Sequence, residues 1–325
     1  MKSSIAEAGT IEKRKLGNSG LEIAPLVLGG NVFGWTADEP TSFRILDAFV
    51  DAGFNMIDTA NSYSSWVPGH PGGESETIIG RWLKTIGKRQ TVLIATKVGS
   101  DLGPSRKGLS KDVILRELEG SLQRLQTDHI DLYQSHFDDL ETPLEETLAA
   151  YDQLIKQGKV RAIGASNYNA ERLSQALKVS QEKGCPRYET LQPHYNLAER
   201  SQFEGDLAGV CQENRLGVIP YFSLASGFLT GKYRNAADAT HKAREISVSK
   251  YLNERGFRIL QALDEVAERH NATPAQVSLA WLMARPPVTA PIASATSVEQ
   301  LESLVAAATL RLDETSLEQL NQASG

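Results

Sequence analysis

Short apolar runs recur along the chain, and each run ends in polar or glycine residues. Eight such runs occupy residues 24–28, 55–57, 92–95, 130–134, 160–165, 190–191, 217–220 and 289–292. Buried strands of a parallel sheet have this pattern, because helices cover both faces of the sheet. The runs therefore predict eight parallel strands.

The segments between these runs place apolar residues three or four positions apart, which is the spacing of one helix face. Ile78, Ile79, Trp82 and Leu83 form one such stripe, and the same spacing predicts further helices over residues 144–155, 170–179, 257–269 and 274–284. The last of these begins with Thr273 followed by Pro274, which is typical of a helix amino terminus.

Strict alternation of strand and helix predicts parallel βαβ units. Eight units without a long linker favour one closed (β/α)8 barrel in a single domain over residues 1–325, although a chain of 325 residues has room for about two average domains. An open, doubly wound sheet is the rival. It would carry a GxGxxG turn after the first strand, and residues 28–34 (LGGNVFG) do not match that pattern.

Four segments exceed the minimal barrel repeat. Residues 11–23 predict a β-hairpin ahead of the first strand, and residues 313–325 predict a carboxyl-terminal helix or tail. Residues 64–74 are long enough for a partial lid, and residues 222–250 form a long excursion after the seventh strand. Long loops in a compact domain are usually functional, so we expect the last segment to be a cofactor loop.

Composition excludes several classes of protein. With 41% hydrophobic and 23% charged residues, the chain is neither disordered nor fibrous. Its apolar runs are far shorter than the roughly 18–20 residues of a membrane span, and its first residues lack an apolar signal segment. Two cysteines make neither a disulfide framework nor a zinc site, and a net charge of −6 with interspersed signs predicts no nucleic-acid partner. We therefore expect a cytoplasmic protein without membrane contact or bound metal.

The polar residues that follow the strands would meet at one rim, because active sites of such barrels lie at the carboxyl ends of the strands. They are Asp58, Tyr63, Lys97, His136, Asn167, Gln192 and Tyr221. An ammonium beside a phenol lowers the pKa of the phenol, and a carboxylate keeps the ammonium charged. With a histidine to position a carbonyl, such a tyrosine can protonate an oxyanion. Hydride must come from a cofactor.

These residues and their surroundings resemble the aldo-keto reductase family. Six motifs carry the resemblance in the family's order: NMIDTANSY (55–63), ATK (95–97), DLYQSH (131–136), GASNY (164–168), QPHYN (192–196) and LTGKY (229–233). The match extends from residue 14 to about residue 320 and is nearest to bacterial members related to potassium-channel β-subunits.

The resemblance implies a catalytic tetrad of Asp58, Tyr63, Lys97 and His136. Tyr63 would be the general acid in reduction and the base in oxidation, Lys97 and Asp58 would tune it, and His136 would orient the carbonyl. Ser166, Asn167 and Gln192 would hold the nicotinamide carboxamide, and Tyr221 would stack on the ring. The remaining cofactor contacts implied are Gly30, Asn31, Leu224, Ser226, Lys232, Arg244, Ser294, Thr296 and Gln300.

The loop after the last strand departs from the family pattern. Ser303 and Leu304 replace the acidic–amide pair that usually meets adenine, and no Lys or Arg occurs between Pro287 and Leu310. A 2′-phosphate normally requires a cation, so the preference for NADP(H) is weakened. We expect NADP(H) ahead of NAD(H), with NAD(H) as the alternative.

The substrate is expected to be a small carbonyl compound or alcohol, and the protein a monomer or homo-oligomer. Aromatic residues near the expected mouth, Trp35, Trp66 and Phe137, would shape the substrate pocket. Two other functions remain open. A cofactor-binding regulatory subunit would turn over slowly, and Lys97 could instead form a Schiff base, as in an aldolase.

Overall fold

The computed structural model of the chain describes residues 11–87, 89–239 and 245–325. Its strands are β1 (Arg14–Lys15), β2 (Glu22–Ile23), β3 (Val27–Gly29), β4 (Met56–Asp58), β5 (Leu93–Val98), β6 (Ile130–Ser135), β7 (Val160–Ser166), β8 (Thr190–Gln192), β9 (Gly217–Val218) and β10 (Ile292–Ala293). Its α-helices are α1 (Glu39–Asp51), α2 (Glu74–Ile86), α3 (Lys111–Leu125), α4 (Leu144–Lys156), α5 (Ala170–Lys183), α6 (Asp206–Glu213), α7 (Ala236–Ala239), α8 (Glu245–Ser249), α9 (Glu254–Arg269), α10 (Pro274–Met283), α11 (Val298–Ala306) and α12 (Glu314–Ala323). Short 3₁₀ helices span Arg89–Thr91 and Ala225–Thr230.

The sheet is a closed barrel. Strands β3 to β9 pair in chain order, all parallel, and β10 pairs with β3. The first residue of β10 and the segment before it close the ring, because Ile292 N donates to Pro220 O at 2.9 Å and Thr289 N donates to Val218 O at 2.8 Å. The predicted (β/α)8 barrel is confirmed, and the open-sheet rival is excluded.

The predicted amino-terminal hairpin is also present and covers one end of the barrel. β1 and β2 pair antiparallel, and the turn between them requires glycine at position 17, where φ is +57° and a Cβ would lie 2.4 Å from Glu189 O. Leu16 and Leu21 are fully buried against the barrel interior around Met56 and Leu132. The hairpin therefore seals the end opposite the carboxyl ends of the strands.

Most of the helices cover the barrel with one apolar face, as their spacing predicts. Trp82 on α2 and Trp281 on α10 are fully buried in the core. Thr273 caps α10 in a capping box with Gln276, as the Thr–Pro pair indicates. Within the described ranges, no helix is long and apolar enough to cross a membrane.

The excursion over residues 222–250 contains short helices where it is described, namely the 3₁₀ helix Ala225–Thr230 followed by α7 and α8. Strand bounds differ from the apolar runs at the first and last strands, where pairing covers 27–29 and 292–293. Proline at positions 25 and 291 explains part of this shift, since proline has no N–H to donate to a ladder.

Candidate active site

The tetrad residues meet at the carboxyl ends of three neighbouring strands. Asp58 is the last residue of β4, Lys97 lies near the end of β5, and His136 follows β6 directly. Tyr63 lies on the loop after β4. Parallel strands that pair in register end at one rim. Lys97 and His136 therefore lie near Asp58, although they follow it by 39 and 78 positions in the sequence.

Lys97 is the centre of this cluster. Its Nζ donates to Asp58 Oδ2 at 2.6 Å, to Tyr63 OH at 2.7 Å and to Thr59 O at 2.8 Å. An ammonium has three N–H donors, so these bonds use all of them. The side chain is 0% exposed. A buried charge of this kind is stable only with a paired carboxylate and satisfied hydrogen bonds, and Asp58 supplies the carboxylate.

Asp58 is held on both carboxylate oxygens. Tyr63 OH lies 3.1 Å from Oδ2, while Oδ1 accepts from Gln192 Nε2 at 2.9 Å and from Gln134 Nε2 at 3.3 Å. Donors from three other elements therefore fix the carboxylate.

Burial dominates the ionisation of the tetrad. It raises the pKa of Tyr63 well above its ordinary value, and the nearby Asp58 carboxylate raises it further. The expectation that Lys97 lowers the Tyr63 pKa below its ordinary value is wrong here, because burial and Asp58 outweigh the ammonium. Burial also lowers the pKa of Lys97, which Asp58 opposes. Tyr63 therefore keeps its proton at neutral pH, as an acid requires.

His136 faces the cleft beside Tyr63, with ring centroids 6.1 Å apart. Burial first, and then the charge of Lys97, lower the pKa of His136 well below 6.5, so the ring is neutral at neutral pH. Its Nδ1 lies 2.8 Å from Ser100 Oγ and 3.5 Å from Ser62 Oγ. Phe137 stacks on the imidazole with centroids 4.8 Å apart.

A cleft of about 780 Å³ opens at this rim, and Asp58, Tyr63 and His136 contribute to its lining. We call its two ends the inner end, which contains Asp58, Tyr63 and His136, and the outer end, which contains Thr296, Gln300 and Ser303. The sequence-predicted residues that line it are Asn31, Trp66, Phe137, Ser166, Asn167, Gln192, Tyr221, Leu224, Ser226, Lys232 and Ser294, together with Thr296 and Gln300. Arg244 lies outside the described residues.

Two predicted residues sit beside the cleft. Gly30 is behind the wall, where its N donates to Asp58 O at 2.7 Å, and the neighbouring Gly29 lines the cleft. A Cβ on Gly29 would lie 2.5 Å from Ser294 Oγ, so a larger residue at this position would press against the Ser294 side chain. Trp35 does not line the cleft, but it packs edge-on against Trp66 with centroids 5.6 Å apart.

The residues predicted to meet nicotinamide form one group next to the tetrad. Asn167 Oδ1 accepts from Tyr221 OH at 2.7 Å, and Asn167 Nδ2 donates to His136 O at 2.8 Å. Ser166 Oγ donates to Gln192 O at 2.9 Å. The amide and hydroxyl groups expected to hold a carboxamide therefore lie together on β7, β8 and the loop after β9.

The start of the excursion adopts an uncommon backbone conformation. Phe222, Ala225 and Ser226 have φ values of +51°, +48° and +58°, and Gly227 has +96°. Left-handed residues other than glycine cost free energy and cluster at functional sites. This segment lines the middle of the cleft, and the exposed side chain of Lys232 follows it there.

At the outer end, neutral polar groups bond to one another. Ser294 Oγ donates to Asn31 Oδ1 at 2.6 Å. The N and Oγ1 of Thr296 both donate to Gln300 Oε1, at 3.0 and 3.1 Å. Lys232 is the single cation among the described residues that line the cleft.

Sequence reasoning missed three residues that contact the tetrad, namely Gln134, Ser62 and Ser100. Gln134 had a signal, because a polar residue at an inward position of a buried strand needs a partner inside the barrel. Ser62 and Ser100 had none, since serines are common in loops and only the pairing of β5 with β6 brings Ser100 to His136.

Comparison with known proteins agrees with this geometry. Residues 25–324 match the model of the aldo/keto reductase family. The chain belongs to this family. It is 37% identical to a Bacillus subtilis (strain 168) protein named uncharacterized oxidoreductase YrpG, over 96% of this chain and 95% of that protein.

Two further relatives of this aldo/keto reductase come from Escherichia coli (strain K12). Protein tas is 34% identical over 95% of this chain and 96% of its own length. L-glyceraldehyde 3-phosphate reductase is 33% identical over 92% of this chain and 88% of its own length. Aldo/keto reductases are oxidoreductases that use nicotinamide cofactors. The volume of the cleft, the glycine at position 29 in its lining and the amide group at Asn167 fit such a dinucleotide.

Proposed function

We propose that this protein is an NAD(P)(H)-dependent oxidoreductase that interconverts an aldehyde or ketone with its alcohol. One observation carries the proposal: Lys97 Nζ lies 2.7 Å from Tyr63 OH and 2.6 Å from Asp58 on the floor of a cleft that His136 also lines. This arrangement places a protonated phenol, held by an ammonium, beside a neutral imidazole.

In reduction, Tyr63 donates its phenolic proton to the carbonyl oxygen. Lys97 then stabilises the phenolate through the hydrogen bond that it already makes, and Asp58 keeps the ammonium in place. His136 holds the carbonyl oxygen in the cleft. A bound reduced nicotinamide supplies the hydride. In oxidation Tyr63 takes the proton back.

Ser166, Asn167 and Gln192 would hold the carboxamide, Tyr221 would stack on the ring, and Lys232 with Arg244 would meet phosphate groups. Asn31, Ser294, Thr296 and Gln300 would contact the adenosine part. NADP(H) is the proposed cofactor on the family resemblance, and NAD(H) is the alternative that the outer end favours. There, the loop between Pro287 and Leu310 has no Lys or Arg.

Trp66 and Phe137 flank the inner end and are about half exposed, at 49% and 48%. They favour a neutral substrate with an apolar group, because they offer ring faces and no charge. The Schiff-base alternative is disfavoured. The Lys97 amine has three acceptors and no exposed surface, whereas a Schiff-base lysine must be free and neutral to attack a carbonyl.

The test is to mix the protein with NADPH or NADH and a panel of neutral aldehydes and ketones. We expect loss of nicotinamide absorbance with at least one of them. No loss with either cofactor across the panel would refute the proposal. Tightly copurified cofactor with negligible turnover would instead support the regulatory-subunit alternative.

A further inference from the structure

His136 presents its two ring nitrogens to different surroundings. Nδ1 lies 2.8 Å from Ser100 Oγ and 3.5 Å from Ser62 Oγ. Within the described part of the chain, Nε2 makes no hydrogen bond, and it is accessible rather than buried. The ring to which it belongs lines the cleft. A ligand in the cleft therefore meets Nε2.

The pairing of β5 with β6 sets this geometry. Val98 and Ser135 are register partners, and His136 N donates to Val98 O at 2.8 Å. Ser100 follows β5 by two residues and thus reaches the ring of the residue that follows β6. Only 8% of Ser100 is exposed, so water competes little for its hydroxyl.

A neutral imidazole carries one proton, on either Nδ1 or Nε2, and its hydrogen-bond partners decide which. A carboxylate or backbone carbonyl at Nδ1 can only accept, and it would hold the proton there. A serine hydroxyl can donate, which leaves Nδ1 as an acceptor and the proton on Nε2. Both side-chain partners of Nδ1 here are hydroxyls.

The geometry points to Ser100 as a positioning residue, which donates its hydroxyl proton to His136 Nδ1 and so keeps the ring proton on Nε2, where a carbonyl oxygen in the cleft accepts it. This inference rests on the proposed function, since the opposite tautomer would present a lone pair to the carbonyl oxygen and repel it. Ser100 takes this role ahead of Ser62 because Nδ1 has one lone pair and 3.5 Å is the limit of a hydrogen bond.

The experiment combines a spectroscopic and a kinetic measurement on the full chain. Two-bond ¹H–¹⁵N correlation spectra of the ¹⁵N-histidine-labelled protein report which nitrogen of His136 carries the proton, with assignment by a His136→Gln spectrum. We expect Nε2–H in the wild type. Ser100→Ala should add Nδ1–H signal and lower kcat/KM for aldehyde reduction by about tenfold, the equivalent of one neutral hydrogen bond.

Ser100→Thr keeps the hydroxyl and should restore both the tautomer and kcat/KM, which a packing role alone would not explain. Ser180→Ala is the matched control, because Ser180 is also buried and donates to Cys185 O at 2.7 Å, on a helix outside the cleft. It should change neither measurement.

Nδ1–H in the wild type, or an unchanged tautomer and unchanged kcat/KM in Ser100→Ala, would overturn the inference. A tautomer change in Ser62→Ala but not in Ser100→Ala would overturn it as well. If the wild type turns over no carbonyl compound, the proposed function fails, while the spectra still decide whether Ser100 sets the tautomer.

Discussion

The two ends of one cleft are built in different ways. At the inner end, strand residues from opposite parts of the chain bond to each other, and Asp58 and Lys97 are fully buried. At the outer end, Thr296, Ser294 and Gln300 lie on or near a single loop and are at least partly exposed, and their neutral hydrogen bonds are local except for the one from Ser294 to Asn31. The inner end is therefore part of the folded core, whereas the outer end can change without cost to the barrel.

Chemistry and specificity therefore reside at different ends of the cleft. The hydrogen bonds around Lys97 couple the proposed proton donor to the sheet, so substitutions there affect both turnover and stability. Substitutions at the outer end should affect cofactor choice alone. Four predictions test this contrast.

The largest effect is expected for Tyr63→Phe. Loss of the phenolic proton should lower kcat by about 10²–10⁴-fold, the range for general acid catalysis. The ring remains, so the affinity for cofactor should change little, but the unfolding free energy should fall by about 1–3 kcal/mol, because a buried N–H of Lys97 loses its acceptor. Stopped-flow kinetics, fluorescence titration and urea unfolding measure the three quantities. Turnover close to that of the wild type would remove Tyr63 from its proposed role.

Next in size is the stability of the buried ion pair. Lys97→Met leaves the Asp58 carboxylate buried without its cation, which typically costs about 3–5 kcal/mol of unfolding free energy. Lys232→Met, at an exposed position on the same cleft, should change it by less than about 0.5 kcal/mol.

Urea unfolding of both variants measures the contrast. Adding Asp58→Asn to Lys97→Met should recover part of the loss, because the unpaired charge is then gone. Equal stability of the two lysine variants would mean that the inner end is not part of the folded core.

The pH dependence of stability gives a smaller signal. Because the pKa of folded His136 lies well below 6.5, the unfolded chain binds a proton that the folded chain does not between those two values. The unfolding free energy should thus fall as the pH drops below about 7, by at most about 1.4 kcal/mol per pH unit from this residue.

Urea unfolding of His136→Gln at pH 7 and pH 5 isolates that share. The variant should lose less stability than the wild type over this interval, and the contribution of His194, whose pKa burial also lowers, cancels in the difference. An identical loss in both proteins would show that folding does not lower the pKa of His136.

The smallest expected effect lies at the outer end. Thr296→Arg adds a cation to a loop without one, and should shift the ratio of the NADH and NADPH dissociation constants about tenfold toward NADPH, since a charged hydrogen bond contributes about 1.5–3 kcal/mol. Thr296→Gln, which adds length without charge, is the control. A ratio that stays the same in both variants would place the 2′-phosphate elsewhere.

The inner end was more predictable from sequence than the rest of the site. Asp58, Lys97 and His136 follow apolar runs within two residues, and the rule that parallel strands end at one rim brings them together. The conformation at Phe222, Ala225 and Ser226 was not predictable, because tertiary contacts hold these residues in a backbone region that their types disfavour.

Long-range hydrogen bonds were the other limit. Gln134 and Gln192 reach the same Asp58 oxygen from two strands, and no local pattern connects residues 58 positions apart. The prediction that Lys97 lowers the pKa of Tyr63 failed for a related reason. Sequence shows that a lysine is near, but the depth of burial and the count of donors on Asp58 belong to the folded structure.

Isotope labelling tests hydride transfer to the carbonyl carbon and the role of Tyr63 in one experiment. The protein is incubated with an aldehyde and reduced nicotinamide dinucleotide deuterated at the transferring position, and the product is analysed by mass spectrometry. We expect one deuterium on the former carbonyl carbon of the alcohol with the wild type and almost no alcohol with Tyr63→Phe. Alcohol without deuterium on that carbon, or equal yields from both proteins, would contradict it.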